Sequence, residues 1–116
     1  MQDRPTAVEL MEAIREFLEQ DVMSSVEGRV RFHTRVAINA LGMLEREIRL
    51  GPELDATERE RLAALLGHDA DLRTLTTELA RRIRDGSLDD RRDEVVGAVR
   101  EAVRAKLLVA NPDYVG

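Results

Sequence analysis

Apolar residues recur every three or four positions in five segments of the chain, and no segment alternates with period two, so the pattern predicts an all-α fold. The first segment opens at Pro5-Thr6-Ala7-Val8-Glu9, where Thr6 can cap the free N–H groups and Glu9 can reach back to complete a capping box. Leu10, Met11, Ala13, Ile14, Phe17, Leu18 and Val22 then share one face and Glu9, Glu12, Glu16 and Glu19 the other, which predicts a helix over about 6–23. Ser24, Ser25 and Gly28 loosen the chain before a second helix at about 29–50. Its apolar arc (Val30, Phe32, Val36, Ala37, Ala40, Leu41, Met43, Leu44, Ile48) covers about half the circumference, so it is expected to be the most buried helix. Gly51 and Pro52 supply its stop.

Asp55-Ala56-Thr57-Glu58 reads as a second capping box, opening a short helix at about 56–66 with core residues Leu62, Leu65 and Leu66. A fourth helix, about 71–85, begins after Asp69 or Asp71 and carries a seam of Leu72, Leu75, Leu79 and Ile83. Asp89 or Asp90 is expected to cap the fifth, about 90–110, which presents Val95, Val99, Ala102, Val103 and Ala110 and ends at Asn111-Pro112. The expected architecture is a compact bundle of about five helices forming a single helical domain over residues 1–116.

Composition narrows the chemistry. The chain has 116 residues, 43% hydrophobic and 35% charged, enough for one core but not for an interdomain cleft. It has no cysteine, which excludes disulfides, thiolate metal sites and a cysteine nucleophile. There is no glycine-rich phosphate loop, no Gly-x-Ser-x-Gly elbow and no His-Glu-x-x-His pair. Neither His33 nor His68 has a Glu three residues before it, as a di-iron bundle requires, so no metal or other cofactor is expected. No leader or membrane-spanning run is present, so a cytoplasmic protein away from the membrane is expected.

Net charge is −5, and a would-be recognition helix opening on Asp69 and Asp71 would repel phosphates, so nucleic-acid binding is not expected. Charge is unevenly placed: residues 7–23 hold five acids and one Arg, residues 29–49 five Arg and two Glu. Segments of opposite sign can pack favourably together, each surface pair contributing at most about 1 kcal/mol.

The remaining candidates are ionisable residues set in apolar arcs: Asp21, His33, Glu47 and Lys106. They are expected as half-buried ion pairs or, in the sharper reading, as parts of a polar pocket, with His33 buried and its ring nitrogens matched. A second stripe, Arg35, Asn39, Gly42, Arg46 and Arg49, reads as a solvated face or a docking strip for carboxylate or phosphate partners. There, Gly42 would allow another backbone close approach. Leu108 falls on the polar side of the fifth helix, and the tail ends in a tyrosine suited to anchoring an interface.

Three stretches together resemble a known family: Asp3-Arg4-Pro5-Thr6-Ala7-Val8-Glu9-Leu10 with Phe17-Leu18; Phe32-His33-Thr34-Arg35-Val36-Ala37-Ile38-Asn39-Ala40-Leu41 with Arg46-Glu47; and Lys106-Leu107 with Asn111-Pro112-Asp113-Tyr114. The pattern is similar to the bacterial DUF6285 family, whose small proteins are typically encoded beside an aminoglycoside-phosphotransferase-like kinase and an acyl-CoA-dehydrogenase-like protein. The resemblance implies a non-catalytic accessory subunit of a kinase acting on hydroxyacyl-CoA thioesters in hydroxy-acid catabolism, and it carries over no catalytic residue. The candidate interface or polar site comprises His33, Arg35, Asn39, Arg46, Lys106, Leu108, Asn111 and Tyr114. The alternative is a small-ligand-binding helical domain holding an acyl or CoA-linked group near His33 and Lys106. With only two Phe and one Tyr, the bundle is expected to bury further surface against a partner or a copy of itself.

Overall fold

Helix formation starts where the sequence supplies a cap. In the computed structural model, which describes residues 3–115, the Thr6 hydroxyl accepts from the Glu9 N–H at 3.1 Å and the Glu9 carboxylate accepts from the Thr6 N–H at 2.8 Å. The capping box is therefore complete, and α1 runs Ala7–Phe17. Helical backbone continues through a wide π turn, Leu18–Val22, and a 3-10 turn, Met23–Ser25. The Met23 side chain is buried at its end.

The second helix, α2, spans Gly28–Leu66 and merges the second and third expected helices. Gly51 and Pro52 do not stop it. Proline disfavours the helical region for its predecessor partly by pressing on that residue's Cβ, and Gly51 has none. What remains is the missing N–H at Pro52 and the crowding of its ring against the carbonyl one turn back, which α2 absorbs without breaking. Asp55 and Glu58 accordingly lie inside α2 and cap nothing. Gly67, at φ +86°, closes α2 with its N–H on the Ala63 carbonyl at 2.8 Å, in a conformation that favours glycine. Asp71 caps α3, Leu72–Arg84, by accepting from the Thr74 N–H at 2.8 Å. Neither Asp89 nor Asp90 caps α4. Both enter a 3-10 turn, Asp89–Arg91, and α4 runs Arg92–Ala110 without a side-chain cap. Four α-helices and short helical turns make an all-α fold, with no strand among the described residues.

The described residues fall into two compact units, the first ending at Leu50 and the second beginning at Gly51. In the first, α1 and the opening half of α2 form an antiparallel hairpin: Arg15 meets Glu45 and Glu12 meets Arg49. Only Thr34, Ile38 and Glu45 of that half of α2 are buried. Val30, Phe32, Val36, Met43, Leu44 and Ile48 are 40–65% exposed, so this half is not the most buried helix as its apolar arc suggests.

The core lies in the second unit, where Leu62, Leu65 and Leu66 of α2 meet Leu75 and Leu79 of α3, Leu88 of the connecting turn and Ala98 of α4. On α4 the phase differs from expectation. Ala98 is buried and Val95 half-buried, whereas Val99 and Val103 are exposed. Leu75 is 0% exposed, the one large side chain sealed completely among the described residues. Replacing Leu75 by alanine should destabilise the protein by about 2–5 kcal/mol, read as a lower denaturation midpoint in urea.

Candidate functional site

The one buried charge among the described residues is a carboxylate that periodicity alone does not single out. Glu45 follows Ile38 and Leu41 at helical spacing, and Arg15 follows Val8 and Met11 in the same way, so both sit in the seam between α1 and α2. Arg15 Nε donates to Glu45 Oε2 at 2.7 Å and Nη2 to Oε1 at 3.0 Å, a fork on both oxygens. Glu45's side chain is 5% exposed and Arg15's 34%, with Glu19 3.6 Å from the same guanidinium. The Arg15 hydrogen bonds hold the Glu45 carboxyl below its usual range against the opposing effect of burial. A carboxylate so engaged is nearly closed to solvent and has no proton to give near neutrality. Its role is to lock the hairpin.

The expected site residues separate from this pair. His33 is exposed: its ring meets Phe32 edge-on at 5.4 Å, and no hydrogen bond reaches its nitrogens from the described residues. This overturns the expectation of a buried, matched histidine, because α2 turns Thr34 and Ile38 toward α1 and leaves position 33 outside. His33 instead lines a groove of about 410 Å³, open to solvent, with Leu18, Arg29, Val30, Thr34 and Ala37. Asp21, Glu47 and Lys106 are likewise exposed and form no salt bridge among the described residues, so the expected half-buried pairs do not form around them.

Arg35 and Asn39 are exposed and Arg46 is half-buried. The atom nearest a Cβ at Gly42 is Arg46 Nη1 at 3.4 Å, so the space is taken by a side chain of the same helix rather than by another backbone. In the second unit, Lys106 lies on the exposed side of α4 with Val99 and Val103, while Leu108 is half-buried. The Asn111 N–H donates to the Leu107 carbonyl at 2.8 Å, and the Asn111 carbonyl accepts from the Tyr114 N–H at 3.1 Å. That turn presents Tyr114 at 76% exposure.

The second unit holds two polar features that motif spacing did not flag. His68 Nε2 lies 2.7 Å from Glu78 Oε1, with Arg82 Nη1 3.6 Å from the other carboxylate oxygen. Arg91 Nη1 donates to the Leu65 carbonyl at 2.6 Å and Arg82 Nη1 to that of Leu66 at 3.5 Å. These guanidiniums occupy carbonyls that a helix C-terminus leaves without partners. Among the described residues no group of three or more His, Asp or Glu side chains has the placement to hold a metal ion. No helix there is long and apolar enough to cross a membrane.

An all-α protein with one locked ion pair and several exposed apolar stripes is the class these features define. Residues 24–114 match the family model described as Domain of unknown function (DUF6285), and the chain belongs to that family. The stretches around Phe32–Leu41 and Lys106–Tyr114 lie inside the match, and the one around Thr6–Leu10 lies before it. No curated protein and no solved structure matches the chain.

The lowered Glu45 value fixes a sign for pH dependence. Its contribution to stability is fully present above the ordinary glutamate value of 4.5 and is lost as pH falls through the lower folded value, because the unfolded chain takes up the proton first. Urea midpoints measured against pH should fall on this acid limb, and Glu45→Gln should flatten part of the fall. Arg15→Leu, which strands the buried carboxylate, should cost about 1–3 kcal/mol at neutral pH.

Proposed function

We propose that this chain is a non-catalytic accessory subunit, acting in the cytoplasm, that docks on and completes an aminoglycoside-phosphotransferase-like kinase of hydroxyacyl-CoA catabolism. Membership of the DUF6285 family is consistent with that partner, which the resemblance implies. The observation that carries the reading is an outward stripe on α2. Phe32, Val36 and Met43 are 65%, 48% and 40% exposed, and with Asn39, Arg46 and Leu50 they repeat at alternating spacings of four and three. Such spacing keeps a stripe on one side of a helix, ready for a second helix laid along it.

Arg35 borders the stripe and is exposed, so the fitting partner surface is apolar with a carboxylate beside it. An exposed aromatic anchor among arginines is also the composition of an interface centre. Tyr114 and the exposed Val99–Val103–Lys106 side of α4 offer a second contact on the same chemistry. The ligand-binding alternative draws only on the groove beside His33, which is open rather than enclosed.

The isolated protein should show no turnover, and the cognate kinase should gain activity or solubility when mixed or co-expressed with it. Phe32→Ala and Tyr114→Ala alter exposed side chains and should each reduce that gain while leaving the circular dichroism spectrum unchanged. Full activity and solubility of the kinase in the complete absence of this chain would overturn the reading.

A further inference from the structure

A different side of the same hairpin is also uncovered. On α1, Leu10, Ile14 and Phe17 are 49–55% exposed, and on α2, Val30, Leu44 and Ile48 are 45–57% exposed. The α2 residues belong to a repeat of alternating fours and threes, residues 30, 34, 37, 41, 44 and 48, whose Thr34 and Leu41 turn toward α1. The groove between Leu18 of α1's continuation and Val30 and Ala37 of α2 joins the two stripes into one apolar face. This face lies round the α2 barrel from the Phe32 stripe by roughly a third of a turn or more.

We infer that this face is covered by a second copy of the chain, two hairpins forming a four-helix bundle about a two-fold axis parallel to the helices. Charge selects the occupant. The charges beside this face are Asp21 and Arg29, since Glu9, Glu12, Glu16 and Glu19 fall on the other side of α1 and Arg49 is already paired with Glu12. A two-fold axis along the bundle sets α1 of each copy against α2 of the other, antiparallel, and keeps the two acidic α1 segments diagonal. An axis across the bundle would set the two turns at opposite ends and keep Asp21 of one copy from Arg29 of the other.

The rim shows what would pair. Asp21 stands in the π turn that follows α1, Arg29 at the turn end of α2, and both are exposed with no salt bridge to either among the described residues. With the turns at the same end of the bundle, Asp21 of one copy reaches Arg29 of the other. Six half-exposed side chains at roughly 80–100 Å² each supply about 500 Å² of apolar surface per copy, and a polar rim brings this near the ~800 Å² per partner of a stable complex.

Sedimentation equilibrium on the full chain should give twice the chain mass. Ile14→Asp and Ile48→Asp should give helical monomers, whereas Phe32→Asp, on the face assigned to the kinase, should leave the dimer intact. Because a buried-face variant can also unfold the hairpin, exposed charges provide the second arm. Asp21→Arg and Arg29→Asp should each raise the dimer dissociation constant about tenfold or more, and the double reversal should restore it. A wild-type monomer at all concentrations, a dimer indifferent to Ile14→Asp and Ile48→Asp, or a dimer lost on Phe32→Asp with helicity retained would overturn the inference. The proposed kinase partnership is judged separately, by kinase activity with the Phe32 and Tyr114 variants.

Discussion

A helix that is apolar on three sides must be covered on three sides, and a single neighbouring helix covers one. The first half of α2 is such a helix. Thr34, Ile38 and Glu45 face α1 and are buried, while the Phe32–Val36–Met43 stripe and the Val30–Leu44–Ile48 stripe remain in water. Apolar surface of this extent on a short hairpin marks an interaction site rather than ordinary surface leucines. The second unit satisfies the same demand internally. There the end of α2, α3 and α4 converge on Leu75, and each contributes side chains to one closed cluster.

Polar groups fix the geometry that apolar burial leaves loose. Burial is non-directional, so the α1–α2 seam could slide along its leucines and valines at little cost. Glu45 removes that freedom: only in the observed register do both its oxygens meet the Arg15 guanidinium, and any other strands a buried carboxylate. At the far end of α2 the same logic uses neutral acceptors. The Leu65 and Leu66 side chains enter the core while their carbonyls, at the negative end of the helix dipole, accept hydrogen bonds from Arg91 and Arg82. The packing of α3 and α4 is thereby tied to where α2 stops.

What could be read from the sequence was local. Thr6 with Glu9, Asp71 and Asn111-Pro112 act within one turn of themselves, and the structure uses each as its neighbours dictate. Leu62, Leu65, Leu66, Leu75 and Leu79 were legible as core because α2's end and α3 each have one narrow seam. The continuity through Pro52 was not, since a general rule about residues before proline meets the special case of a residue without a Cβ. Periodicity shows which side of a helix is apolar but not whether anything covers it, and the wide arc of α2 therefore read as burial and placed His33 inside. Glu45 carried a usable signal, since it repeats from Ile38 and Leu41 opposite an arginine that repeats from Val8 and Met11. Charge in a seam was sought instead at Glu47, half a turn away.

The two open stripes of α2 are alike in area and spacing, so hydrophobicity alone gives no reason for them to choose different partners. Their borders differ. The stripe joined to Leu10, Ile14 and Phe17 has Asp21 at the turn end of one side and Arg29 at the turn end of the other, and a surface of that kind is complementary to its own image under a two-fold rotation. The Phe32 stripe is bordered by the exposed Arg35, so two copies meeting there would bring guanidiniums together. Like charges juxtaposed at an interface select against that partner. A cationic border instead fits a chain that supplies carboxylates, and α1, which holds most of this protein's nearby acids, lies on the other side of α2 with Glu12 and Glu45 already engaged by Arg49 and Arg15. One helix thus presents two apolar faces of different electrostatic character, the first suited to the protein itself and the second to something else.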